Sequence, residues 1–319
     1  MRLLGTGKVI AMGLIGLSRV PRVERRAALA AVGISVVLAG VKFLAYGMTA
    51  SASVFSDALE SIVNVAASSF ALYALSVAHQ PADEDHPYGH GKVEFLSATF
   101  EGGMIFAAGV AVMWHAVSQW LVGPSVARLG WGLALVSLAS VVNLAAGWML
   151  IRVGRRQGSM ALEADGKHLI SDVVTSVGVL GSLVVVWWTG RAWIDVAVAG
   201  AIGVYLCWTA WGLIRRSTAG LMDEQDRADN KLIRAILDEH VAGRVAPRVC
   251  GYEKLRHRHH GRIHWVDFHL AVPAGMTVHE GHEVAGAIEG EIEKSLGEAD
   301  ATAHIEPCRG DGCGVCGVR

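Results

Sequence analysis

The sequence predicts an α-helical membrane protein: six transmembrane helices followed by a small cytoplasmic α+β domain. Three observations carry that prediction. The 319-residue chain is 52% hydrophobic and 18% charged, with a mean hydropathy of +0.40, whereas an ordinary soluble domain carries roughly 25% charge. Six stretches reach the length of about 20 mostly apolar residues that a membrane helix needs. After about residue 215 the pattern changes to that of a soluble domain. The same composition excludes a disordered chain. A net charge of −1 gives nucleic-acid binding no electrostatic footprint, and five cysteines make no disulfide framework.

The elements follow in order. Arg2 and Lys8 precede a short apolar stretch, but no small-residue cleavage site comes after it, so residues 1–26 read as a cytoplasmic leader. The transmembrane domain, 27–215, holds spans at about 28–49, 53–78, 94–118, 129–151, 165–188 and 193–214. Arg19, Arg22, Arg25 and Arg26 precede the first span, and Arg152, Arg155, Arg156 and Lys167 lie between the fourth and fifth. Arg215 and Arg216 follow the sixth, and the alternate connections hold little beyond Arg128 and Arg191. The positive-inside rule then puts both termini in the cytoplasm, with the chain in a plasma membrane, a bacterial inner membrane by this reading. In the domain at 216–307, Lys231, Leu232, Ile233, Ile236, Leu237 and Val241 are spaced as an amphipathic helix. Strands are expected at about 249–257 and 262–272 with Gly261 in the turn, a second helix through Val284, Ile288 and Ile292, and a last strand at 301–306. The order αββαβ suits helices on one face of a three-stranded sheet. A Cys/Gly-rich tail, 308–319, ends the chain.

Polar residues inside the spans carry the chemistry. A central Asp costs about 2.5–3.5 kcal/mol on insertion scales. Span two has Asp57, Glu60 and Asn64; span five has Asp165, His168 and Asp172. In each, an acid is followed three residues on and then four more by a ligand-type side chain, so all three share a helix face. If the two helices pack together, Glu60, Asn64, His168 and Asp172 offer four donors to one point, which suits a divalent transition metal. Interhelical hydrogen bonding is the other reading. Asp57 and Asp165 either support those ligands or lie near the surface. Glu101, His115 and Asn143 lack such spacing and read as packing or interfacial groups. After span two, Asp83, His86 and His90 either close on one cation or belong to a polar turn.

The stretch Gln80-Pro81-Ala82-Asp83 through His86-Pro87-Tyr88-Gly89-His90-Gly91-Lys92 resembles the signature loop of the cation diffusion facilitator family. Ala164-Asp165 through His168, Ser171 and Asp172 resembles that family's fifth helix. The resemblance covers roughly residues 25 to 308. It implies a homodimeric exporter of a divalent metal driven by proton antiport, with a metallochaperone-like cytoplasmic domain that helps hold the dimer together. It also implies a cytoplasmic metal site at His269, His282, His304 and Glu306, with Glu306 where an Asp is more usual. The second helix departs from the common pattern, which has His or Asp in place of Glu60 and Asp in place of Asn64. The run His257-Arg258-His259-His260 either adds imidazoles or ends a solvated strand, and Cys308, Cys313 and Cys316 have metal-like spacing in a Gly-rich tail.

Metal ligands shed protons to bind, so metal and protons compete for one site. Imidazole, with an ordinary pKa near 6.5, suits that exchange. A site loaded from the cytoplasm and emptied by protons outside needs no nucleotide, and no Walker-type loop stands out. No nucleophile–base pair supports an enzyme. Zn²⁺ is the first substrate expected, then Fe²⁺, then Mn²⁺ and Co²⁺; soft Cu(I) does not suit a site without thiolates. A membrane-anchored metal sensor that transports nothing would use the same ligands.

Overall fold

The computed structural model describes residues 17–49, 52–122, 131–191 and 193–310. The chain forms two compact units, Met1–Thr218 and Ala219–Arg319. Among the described residues, the first contains six long helices: α1 (Arg22–Thr49), α2 (Ala52–Ala78), α3 (Val93–Val122), α4 (Trp131–Gln157), α5 (Met160–Thr189) and α6 (Trp193–Leu221). Among the described residues, five of them have a segment long and apolar enough to cross a membrane: Arg22–Leu44, Ser61–Ala78, Val93–Ser118, Ser137–Gln157 and Val196–Leu221. Helix α5 is the one outside that set, and its first half carries Glu163, Asp165, Lys167, His168 and Asp172. It starts at Met160, over a turn before the expected 165, and that added turn brings Glu163 into the helix.

Small residues set the helix packing. Ala27, Ala28 and Ala31 of α1, Leu75 of α2, Ala146 and Leu150 of α4, and Leu162 and Leu169 of α5 make one buried cluster. Helices α4 and α5 meet backbone to backbone. A Cβ on Gly166 would sit 2.8 Å from the Gly147 carbonyl oxygen and 2.8 Å from the Ile151 nitrogen; a Cβ on Gly147 would sit 2.9 Å from the Gly166 carbonyl oxygen. Trp114, Trp120, Trp148, Trp188, Trp208 and Trp211 are exposed on the outside of the helices, as expected where amphipathic rings meet lipid and its headgroup layer.

Within the second unit the order is α7 (Arg227–Val241), β1 (Gly251–His260), β2 (Ile263–Val272), α8 (Val278–Leu296) and β3 (Ala299–Pro307), the αββαβ order expected. The sheet runs β1-β2-β3, with β1 antiparallel and β3 parallel to β2. Gly261 turns the hairpin at φ 68, so His260 faces Ile263 and His259 faces His264. Asp226 caps α7 by accepting from the Ala228 and Asp229 amides, and Thr277 and Glu280 form a capping box on α8. Strand β2 alternates: Val266, Phe268, Leu270 and Val272 are buried with Ile233, Leu237, Ile288 and Ile292 of the helices, while Asp267 and His269 point to the other face. The β1–β2 register slips between Glu253 and Arg256, where Lys254 takes a φ of 50.

Candidate metal sites

Helices α2 and α5 run antiparallel along a polar seam. The Asn64 amide nitrogen donates to Asp172 Oδ2 at 2.6 Å, and the Asn64 carbonyl oxygen lies 3.0 Å from His168 Nε2. One turn further along α2, Ser68 Oγ donates to Asp165 Oδ1 at 2.9 Å and lies 3.4 Å from Ser35 Oγ of α1. Asn64, His168 and Asp165 are all buried. The structure therefore brings together three of the four expected donors, Asn64, His168 and Asp172, and puts Asp165 one turn away on a serine. Asp57 and Glu60 lie outside the described side chains, as does His115.

Other acids on the same helices have different surroundings. Glu163 is buried and gathers Lys167 at 2.9 Å, Arg216 at 3.2 Å and Arg155 at 3.6 Å. Glu94 Oε2 accepts from Ser159 Oγ at 2.6 Å. Glu101, read from the sequence as a packing or interfacial group, is completely buried on α3, and neither carboxylate oxygen has a hydrogen-bond partner among the described residues. Asn143 is also buried.

The loop residues after α2 converge. Asp83 Oδ1 accepts the His86 backbone N–H at 2.7 Å and lies 3.1 Å from His86 Nδ1, and Asp83 Oδ2 lies 3.3 Å from His90 Nε2. That backbone N–H, aided by the two imidazoles, holds the Asp83 carboxyl below its ordinary pKa. The imidazole rings stand 4.5 Å apart. Ligands bound to one tetrahedral Zn²⁺ at about 2.0–2.1 Å are roughly 3.3–3.4 Å from each other, so these spacings are close to those a cation would impose.

A similar group forms on the helix-free face of the sheet. His269 Nδ1 lies 2.5 Å from Glu306 Oε1, His304 Nε2 lies 4.0 Å from the same oxygen, and the two rings are 4.8 Å apart. His269 and His304 are register partners on β2 and β3. The hydrogen bond from His269, with the nearby charges, holds the Glu306 carboxyl below its ordinary pKa. Lys254 Nζ comes within 3.4 Å of His269 Nδ1, a neighbour that sequence spacing did not suggest. His282, the fourth residue of the expected set, is exposed on α8 and is not part of this group. Cys308 hydrogen-bonds through its backbone to Val272, and Cys313 and Cys316 lie outside the described residues.

A third group joins His259, from the run His257-Arg258-His259-His260, with Asp229 and His264, which the sequence did not single out. Burial lowers the pKa of both His264 and the neighbouring His257 below the ordinary imidazole value.

Two family models match this chain. The model described as "Cation efflux transmembrane domain" matches residues 28–222, and the one described as "Cation efflux protein, cytoplasmic domain" matches 231–308. An uncharacterized transporter of Synechocystis sp. is 35% identical over 291 residues, 90% of this chain and 91% of that protein. The cation-efflux pump FieF of Serratia proteamaculans is 30% identical over 293 residues, 90% of this chain and 94% of the pump. A solved structure of CzrB in a zinc form aligns at 27% identity with 27% of this chain and 91% of that one, at a TM-score of 0.25, too low to bear on the fold.

Proposed function

The chain belongs to the cation efflux, or cation diffusion facilitator, family of metal transporters, and on that premise we propose that it exports a divalent transition metal, Zn²⁺ first and Fe²⁺ next, from the cytoplasm by proton antiport. The observation that carries this reading is the hydrogen-bonded triad of Asn64, His168 and Asp172 between α2 and α5, with Asn64 and His168 buried and Asp172 partly so. With Glu60, four residues before Asn64 in the sequence, as the fourth ligand, they make up the proposed transport site. Asp165, held by Ser68, braces that seam. Mn²⁺ and Co²⁺ rank after Fe²⁺, and all three tolerate oxygen-rich donors.

The hydrogen bonds suggest how protons couple. Asp172 accepts from the Asn64 amide nitrogen, so the Asn64 carbonyl oxygen faces His168 and can only accept. The network thus puts a proton on His168 Nε2 when no metal is bound. From the imidazolium, with both ring nitrogens protonated, a metal taking Nε2 releases that proton and leaves the one on Nδ1, and a proton returning to Nε2 from outside displaces the metal. Alternating access then moves helices around a fixed site.

Asp83, His86 and His90 form a loop site that meets metal at the membrane surface. His269, His304 and Glu306 form a cytoplasmic one, which His282 joins only by moving. The protein works as a homodimer joined through its cytoplasmic domain.

Uptake of Zn²⁺ into proteoliposomes carrying an opposed pH gradient is the test. Zinc accumulation that collapses with the gradient supports the antiporter. Zinc binding without flux in either direction overturns it in favour of a sensor.

A further inference from the structure

We propose that Asp229, His259 and His264 form an additional divalent-metal site in the C-terminal domain, on the face of the sheet opposite His269, His304 and Glu306. His259 Nε2 lies 2.9 Å from Asp229 Oδ2, and His264 Nδ1 lies 3.0 Å from the same oxygen. The two rings are 4.3 Å apart and tilted by 55°. His264 Nδ1 is buried and, despite that distance, lacks the alignment of a hydrogen bond. Each imidazole nitrogen therefore lies a few tenths of an ångström closer to the shared carboxylate oxygen than the roughly 3.3 Å between ligands around a bound Zn²⁺, and all three donor atoms lie within 4.8 Å of one another.

Three different elements bring the donors there. The hairpin at Gly261 sets His259 of β1 opposite His264 of β2. His264 is pinned on the central strand, its amide donating to the Glu298 carbonyl at 2.9 Å beside β3. Asp229 comes from the first turn of α7. Its neighbour Asp226 is committed to capping that helix, which leaves Asp229 as the carboxylate for the imidazoles.

Side chains alternate along a strand. His264 shares the core-facing side of β2 with Val266 and Phe268, whereas His269 points away from it. Five residues along β2 put the two sites about 16 Å apart. Behind the pair sits His257, 3% exposed, its ring 6.5 Å from that of His259. Neither of its ring nitrogens has a well-formed hydrogen bond, so a further imidazole borders the site. Two imidazoles and a carboxylate select Zn²⁺ and its neighbours over Mg²⁺ or Ca²⁺, which take oxygen ligands. A metal held there staples the first turn of α7 to the end of the hairpin.

The test uses the full-length protein in detergent, stripped with a chelator and dialysed against graded Zn²⁺, with bound zinc measured by elemental analysis. A His304→Ala background removes a donor from the opposite face. On it, His264→Gln or Asp229→Asn should lose one zinc equivalent per protomer, and Zn²⁺ should raise the unfolding temperature less than in the parent. Far-UV circular dichroism of the metal-free variants checks folding. If both variants bind as much zinc as the parent at every free concentration, the proposal is overturned, and the cluster is an Asp–His hydrogen-bonding group only.

Discussion

Between α2 and α5, Asn64 commits both ends of its amide, one to Asp172 and one to His168, while Ser68 serves Asp165. In the C-terminal unit, His269, His304 and Glu306 stand on a partly exposed sheet face, and Asp229, His259 and His264 meet at the edge of the core. The contrast follows from the solvent each face meets. Water is scarce at membrane depth, so polar groups there must satisfy one another. On a wetted surface, water completes whatever the protein leaves open. A metal entering the membrane seam therefore has to displace hydrogen bonds that the ligands make among themselves, which weakens binding and favours release. The surface groups also hydrogen-bond one another, but water can take up what a metal displaces there, so they can hold metal more tightly.

Asp172→Ala should produce the largest effect. It removes a donor and leaves the Asn64 amide without its acceptor, so zinc flux in proteoliposomes should fall to the liposome background. Size-exclusion chromatography should still show the native species, because the packing of the small residues is untouched. Flux at the wild-type rate would take Asp172 out of the site.

Asn64→Asp sharpens the contrast from the other side. It places a second carboxylate against Asp172 and ends the self-satisfied arrangement. Zinc affinity should rise on the order of tenfold, about 1.4 kcal/mol, with slower release, in a zinc–iron competition assay. An unchanged affinity and metal preference would mean that Asn64 does not touch the metal.

In the C-terminal unit, Lys254→Ala removes the ammonium 3.4 Å from His269. Zinc binding to the full-length protein should tighten several-fold, with transport through the membrane seam unaffected; weaker binding would show that Lys254 supports the group. The smallest effect is expected from Thr277→Ala, which breaks the α8 capping box. It should cost about 1 kcal/mol, read as a modest fall in the unfolding temperature, with flux and zinc stoichiometry retained.

Much of this was legible where chemistry repeats at a fixed spacing. The i, i+4 relation of His168 and Asp172 put them on one face, and packing against α2 supplied Asn64. The partner of Asp165 was not legible, because serines such as Ser68 are common in membrane helices and carry no distinguishing spacing. Lys254 reaches His269 through the register slip at Glu253–Arg256, a local event that strand alternation does not encode. The facing of His259 and His264 could have been counted outward from Gly261, since 260 opposite 263 leaves 259 opposite 264. Asp229, thirty residues upstream of His259, needed the helix to be docked first. That Glu101 is the packing rather than the interfacial kind of polar group was not legible, because its burial depends on neighbouring helices rather than on α3.

The seam of Gly147 and Gly166 has a mechanical consequence. Ordinary helix contacts are cushioned by side chains that can change rotamer as one helix slips past another. Here backbone lies on backbone, with the Ile151 and Ile170 side chains standing beside each glycine. A slip of α5 by a turn, about 5.4 Å along its axis, would bring Ile170, four residues on along the same face, into the space only glycine leaves open. Helix α5 cannot act as a piston against α4; the two form a strut. Asp165, His168 and Asp172 ride on that strut at fixed heights. In the proposed transport cycle, the stroke that changes which side they face is then a tilt of the pair, with the α2–α5 hydrogen bonds as the joint that opens.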